Sequence, residues 1–336
     1  MKQQFQNTER ILWVDICRGV GIILVILGHC STPFNKYIYG FHMPLFFVLT
    51  GYLYKRDENL FLFIKKISKK YLVPYFILCF INLCINTLVK IFIEKENPEI
   101  VHYIKGIIYS RGTTEWMPHC SPLWFLTAIF VALFIFSIVN TFVGNNLIIC
   151  SIVMVVICPL ISWSLDYLNF VKMPWNIDSA LMAVAFIKLG RLLKEESLFT
   201  FRTPIIFGFV LLLIGFFLIK CNPIEIVSFD DNIYGNLLIM MLGAMAVTIG
   251  LIIVIQRISQ RFRYEYLAFL GRHTIFIMGF DYFSGGVAKI ILDLFGIANW
   301  LTIFIVKLFI LSIGIILWEK LINLIPNEKI QQMLRY

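Results

Sequence analysis

The sequence predicts an all-α fold, a polytopic membrane helix bundle of about ten transmembrane helices with both termini in the cytoplasm. Three observations carry that expectation: an apolar composition, a succession of apolar runs of spanning length, and an uneven distribution of Lys and Arg between them. Hydrophobic residues make up 60% of the 336, aromatic residues 16% and charged residues 15%. A soluble chain is about a quarter charged, so a single integral membrane domain over 1–336 is expected in place of two or three soluble ones. The net charge of +9 points to membrane orientation and not to nucleic acid, because the Lys and Arg stand beside the apolar runs.

The expected spans, in order, are 11–30, 37–54, 72–92, 122–143, 147–165, 177–193, 204–220, 236–256, 267–284 and 299–323. An even number of spans puts both ends of the chain on one side. The segments on that side hold about 19 Lys and Arg and the opposite ones about 8, which makes the richer side cytoplasmic. The N-terminus has Lys2 and Arg10 ahead of the first run but no clear small-residue cleavage site, so that run is expected to stay as the first helix. The longest outer loop, about 93–121, contains His102, Arg111, Glu115, Trp116 and His119 and reads as a lid or acceptor platform. The stretch Val287 to Ile297 reads as a segment lying on the outer surface or tucked into the bundle. Eight cysteines show no metal-ligand spacing and no CxxC pair; Cys17, Cys79, Cys84, Cys150 and Cys158 fall inside apolar runs as small hydrophobes.

The first run is the unusual one, because Asp15, Arg18 and His29 interrupt it. An ionisable side chain in hydrocarbon costs at least ~2.5 kcal/mol on insertion scales, so each needs a partner or a polar cavity. Arg18 and His29 are eleven steps apart, ~1,100° at ~100° per residue, about 20° past three full turns; they share a helix face and stand roughly 16 Å apart along the axis. Asp15, three residues before Arg18, is its ion-pair candidate.

Asp15-x-x-Arg18-Gly19, Leu27-Gly28-His29 and the run Phe41-His42-Met43-Pro44-Leu45-Phe46-Phe47-Val48-Leu49-Thr50-Gly51-Tyr52 resemble the opening of acyltransferase family 3, within it the branch described as fucose 4-O-acetylase-like. Thr50 stands where that pattern has Ser, which keeps a hydroxyl. Pro122-Leu123-Trp124-Phe125-Leu126 resembles the branch's PLWFL element, and Pro174-Trp175-Asn176-Ile177-Asp178-Ser179-Ala180-Leu181 its PW-x-x-D-x-A-L element. Phe269-Leu270-Gly271-Arg272-His273-Thr274-Ile275 is similar to the entry to a late helix. Where family members carry a His near the end of that element this chain has Gly279-Phe280-Asp281, and no role is carried onto it. The resemblance implies a multi-pass enzyme of the inner (plasma) membrane that O-acylates sugars of cell-surface glycans. It implies acetyl-CoA, or another acyl-CoA, as donor substrate, with no bound cofactor and no metal.

On that reading His29 is the base or transient acyl carrier, since an imidazole can take a proton from a hydroxyl or attack a thioester. A packing histidine bonded to a carbonyl is the bland alternative. Arg18 keeps its proton and acts as a charge or donor toward a phosphate or a thioester carbonyl, unless its pair with Asp15 is purely structural. His42 opens the second run from the side on which His29 leaves the first, and can assist as acid or base. Lys65, Lys66, Lys69 and Lys70 form the densest positive cluster, which suits the phosphates of an acyl-CoA as well as anionic lipid. Trp124, Trp175 and Asp178 lie near outer ends and are acceptor-site candidates, although Trp at an interface is ordinarily a belt residue. A transporter or flippase with an intramembrane charge path is the rival from another class, and no pair of broken helices supports it.

Overall fold

The computed structural model describes residues 11–55, 59–112, 117, 120–196, 203–326 and 331. Lys2 and Arg10, and Glu115, Trp116 and His119 of the expected lid, lie outside the described residues. Among those described, the chain is helical and forms no β-sheet; one isolated bridge joins Ser228 to Ile233.

The elements are α1 (Leu12–Gly28), α2 (Asn35–Tyr39), α3 (His42–Leu53), α4 (Leu60–Glu94), α5 (Ile100–Tyr109), α6 (Ser121–Phe142), α7 (Leu147–Tyr167), α8 (Ile177–Glu195), α9 (Ile205–Cys221), α10 (Leu237–Ile258), α11 (Glu265–Arg272), α12 (Thr274–Leu294) and α13 (Trp300–Asn323). Six helices among the described residues, α4, α6, α7, α10, α12 and α13, are long and apolar enough to cross a membrane. The other expected spans are also helical but differ in kind. α3 has 12 residues, about 18 Å at the usual rise, less than a hydrocarbon core of about 30 Å. α8 is 19 residues long but carries Asp178, Lys188, Arg191 and Lys194.

Of these, α1, α3 and α8 occupy the interior, whereas α9 buries only Gly208, Gly215 and Ile219. Nine of the 12 residues of α3 are buried, as are most of α1 and α8. Only 17% of the apolar window of α13 and 22% of that of α4 are buried. Their outward faces, with Phe61, Phe80, Phe92 and Phe309 all exposed, form the apolar surface expected of a protein solvated by lipid.

Four expectations about element bounds are corrected. α4 begins at Leu60, twelve residues before the expected start, and α5 occupies the middle of the 93–121 loop, so that loop is partly helical. The 267–284 span is two helices broken at His273, and the stretch from Val287 belongs to α12 through Leu294. Prolines inside long helices are absorbed by π turns. Pro74 follows the wider turn Ser68–Leu72, and Pro159 follows Val153–Ile157. Proline lacks the N–H of an α-helical bond and crowds the carbonyl four residues back, so the helix opens there without ending.

Two helix pairs meet backbone to backbone. A Cβ on Gly51 of α3 would overlap the carbonyl of Ile187 in α8, and one on Gly190 of α8 the carbonyl of Val48 in α3. In the same reciprocal way Gly19 of α1 faces the carbonyl of Leu267, and Gly271 of α11 that of Asp15. Small residues allow this approach, which supplies the dispersion and weak Cα–H···O contacts that hold helices together where lipid removes the hydrophobic drive. Gly190→Ala or Gly19→Ala should therefore cost about 1–3 kcal/mol by overpacking, read as a lower thermal midpoint in detergent. Gly286→Ala, where an added Cβ meets no atom within 4 Å, should leave the midpoint unchanged or raise it slightly.

Candidate active site

α1 ends on Gly28, and His29 caps it, its amide donating to the Val25 carbonyl. That position takes the imidazole off the end of the helix toward α12. His29 Nδ1 lies 2.6 Å from Asp281 Oδ2, and the other carboxylate oxygen lies 2.9 Å from Lys307 Nζ, supplied by α13. The Asp281 side chain has no exposed surface, that of Lys307 is 2% exposed and that of His29 17%. An isolated ion in so dry a place costs several kcal/mol. Here the carboxylate has a cation on one oxygen and an N–H donor on the other, which fixes the ring's orientation. With Nδ1–H given to the carboxylate, Nε2 is the nitrogen a ligand can meet.

Tyr282, next to Asp281 on α12, stacks on His29 with ring centroids 5.3 Å apart. Tyr39 meets His29 edge-on at 6.5 Å and His42 at 5.0 Å. His42 Nδ1 donates to the Ile38 carbonyl at 2.8 Å, so its Nε2 is likewise the available nitrogen. Both imidazoles line one cleft of about 80 Å3 together with Tyr39, Phe46, Ser121, Trp124, Asp230 and Tyr282. Asp230 arrives from the loop between α9 and α10, which is pinned by buried Phe229, Asn232 and Tyr234. Burial holds the Asp230 carboxyl above the usual carboxylate range, and the Ser228 hydroxyl, 2.5 Å from Oδ1, opposes that rise.

The structure thus brings together His29, His42 and Trp124 among the residues singled out in the sequence. Asp15 and Arg18 approach to 3.9 Å on α1, but neither lines the cleft. Lys65, Lys66, Lys69 and Lys70 stand exposed on the first turns of α4, also apart from it. Asp178 is elsewhere: it is buried, both its oxygens lie 2.8 and 2.9 Å from Arg111 Nη1, and it accepts from the Ser179 amide. Trp175 donates to the Ile108 carbonyl and packs on Phe130. Both are engaged in tying α8 to α5 and the segment after it.

Asp281, Lys307 and Asp230 are the residues that sequence reasoning missed. The first two carried the signal that picked out Arg18, a single charge inside an apolar run. Asp230 sits in a polar loop where a carboxylate attracts no notice. No cluster of three or more His, Cys, Asp or Glu side chains able to hold a metal occurs among the described residues.

The bundle thus combines an apolar outer surface with a carboxylate-oriented imidazole at the wall of a cleft. A family model described as an acyltransferase domain, that of acyltransferase family 3, matches residues 11–319, and the chain belongs to this family. Comparisons with curated proteins and with solved structures gave no match.

The ion pair gives a stability test. Lys307→Met leaves the Asp281 charge without its cation and should destabilise the protein by about 3–5 kcal/mol. Asp281→Asn combined with Lys307→Met should recover most of that loss in thermal unfolding, because no unpaired charge then remains.

Proposed function

We propose that this acyltransferase moves an acetyl group from cytoplasmic acetyl-CoA to a sugar hydroxyl of a cell-surface or lipid-linked glycan, across the inner (plasma) membrane. The observation that carries the reading is the His29–Asp281 contact at the wall of the cleft. His29 Nε2 removes the proton of the acceptor hydroxyl as its oxygen attacks the thioester carbonyl. The C–S bond then breaks, and the coenzyme A thiolate leaves with the proton His29 took up. Asp281 holds the ring in the tautomer that can accept this proton and stabilises the imidazolium while it lasts, as a carboxylate does for other catalytic histidines. His42 acts as a second acid or base or orients the acceptor.

The donor enters from the side richer in Lys and Arg. Arg18 lies on α1 about 16 Å from His29, between that side and the cleft, and steadies the donor's phosphate or carbonyl. Lys65, Lys66, Lys69 and Lys70 form the basic rim that draws in its nucleotide end. The likeness of the PLWFL and PW-x-x-D-x-A-L elements to the fucose 4-O-acetylase-like branch supports a sugar as acceptor, with Trp124 at the cleft, and Trp175 and Asp178 supporting the outer platform behind it.

His29→Ala should abolish transfer of radiolabelled acetyl from acetyl-CoA to membrane glycan while the protein still inserts and melts cooperatively; product formed at wild-type rates by that variant would remove the assignment. Asp281→Asn should retain His29 yet slow transfer about 100-fold to 10,000-fold, the range seen when a catalytic histidine loses its carboxylate. Replacing Lys65, Lys66, Lys69 and Lys70 together with Gln should raise the KM for acetyl-CoA about tenfold at low salt and much less at high salt, with the acceptor KM unmoved.

A further inference from the structure

The polar groups of the cleft are unevenly composed. Among the described residues that line it there is no Lys or Arg, and Asp230 is the carboxylate that does. His29 and His42 each give their Nδ1 proton to the protein, to Asp281 and to the Ile38 carbonyl, which leaves two Nε2 atoms as acceptors in the neutral rings. The Ser121 hydroxyl gives its proton to the Gly112 carbonyl at 2.7 Å. Asp230 takes one hydrogen bond from Ser228 on Oδ1, and a carboxylate has about four acceptor sites. A ligand that satisfies His29, His42 and Asp230 has to bring hydrogen-bond donors, while the Tyr39 and Tyr282 hydroxyls at the same wall can take either role. An anionic ligand would meet a carboxylate with no cation beside it.

The same corner holds the Trp124 indole, which lines the cleft with 7% of its surface exposed. Gly112 is the point on which both side chains close: a Cβ there would lie 2.5 Å from Trp124 Cδ1 and 2.9 Å from Asp230 Cβ. The absence of a side chain at Gly112 therefore lets an indole and a carboxylate stand next to each other. That pairing suits a pyranose, whose C–H face packs on an aromatic ring while its edge hydroxyls donate outward.

We propose that Asp230 anchors the acceptor by accepting hydrogen bonds from hydroxyls of a neutral sugar packed on Trp124, and that the cleft rejects acceptors carrying a carboxylate or phosphate at that position. The proposal rests on reading the protein as an acyltransferase of sugar hydroxyls. It adds the charge class of the sugar and the residue that selects it, a role the sequence assigned to Asp178, which the structure engages with Arg111.

The test uses the full chain in lipid nanodiscs with two probes, a methyl hexopyranoside and the matching methyl hexuronopyranoside. Binding is followed by saturation-transfer NMR and transfer by radiolabelled acetyl-CoA. The wild type should bind and acetylate the neutral glycoside, with at least tenfold poorer KM for the uronide. Asp230→Asn should raise the KM for the neutral glycoside about tenfold or more with kcat falling less than threefold, and should narrow the gap between the two probes. Glu225→Gln, exposed on the same loop and outside the cleft, should change neither value, which separates loss of the anchor from loss of a charge on the loop. Equal use of both probes by the wild type, or an Asp230→Asn variant with unchanged KM, overturns the inference and leaves acyl transfer standing. Binding of the neutral glycoside that depends on Asp230 without any acetyl transfer supports the anchor and overturns the proposed reaction. Neither binding nor transfer with either probe overturns both.

Discussion

A carboxylate with no exposed surface, set between an imidazole and an ammonium, is the constraint on which the rest of this molecule depends. Asp281 can be ionised at such a depth only while Lys307 and His29 stay within hydrogen-bonding reach. Those three groups come from α13, α12 and the end of α1, so the pairing dictates how the last two helices stand against the first. The His29 imidazole is thereby placed by electrostatics as much as by packing. Tyr282 stacks on the ring and Tyr39 meets it edge-on.

The bundle divides its labour by length and polarity. Long apolar helices such as α4 and α13 turn large side chains outward, and the shorter or more polar α1, α3 and α8 are enclosed by them. Hydropathy alone does not separate outer from inner helices, since α6 is as apolar as α13 and largely buried, and the cleft gathers the end of α1, the start of α3, the loop before α10, the turn entering α6 and the middle of α12. The cleft lies at a junction of these elements and not along any single helix.

Much of the fold was legible in the sequence. Each expected apolar span is helical, the 37–54 and 267–284 spans as two helices each, because in lipid every backbone polar group has to be satisfied within its own segment. The errors fall where hydropathy carries no information: α5 inside a presumed loop, the break at His273, and the length of α12. His29 was visible as an ionisable group in an apolar run, as was Arg18, which does not line the cleft, and His42 and Trp124 stand with His29 as side chains that do. Asp281 was passed over because the resemblance offered no counterpart there, although burial of a lone Asp in Thr274–Leu294 calls for a partner on physical grounds alone. Asp178 shows the opposite failure. A carboxylate near an outer end suits a sugar, but proximity to Arg111 is a property of the folded chain that spacing along α8 does not contain.

The reciprocal glycine contacts between α1 and α11 bear on motion. Gly19 and Gly271 press the two backbones together, and α12, which carries Asp281, starts immediately beyond α11. The arm bearing the imidazole and the arm bearing its carboxylate are therefore clamped at their shared root. Sliding one past the other would require carbonyl oxygens to ride over α-carbons with no side chain to yield. Any movement of these two arms is therefore one they make together, with the His29–Asp281 contact carried along.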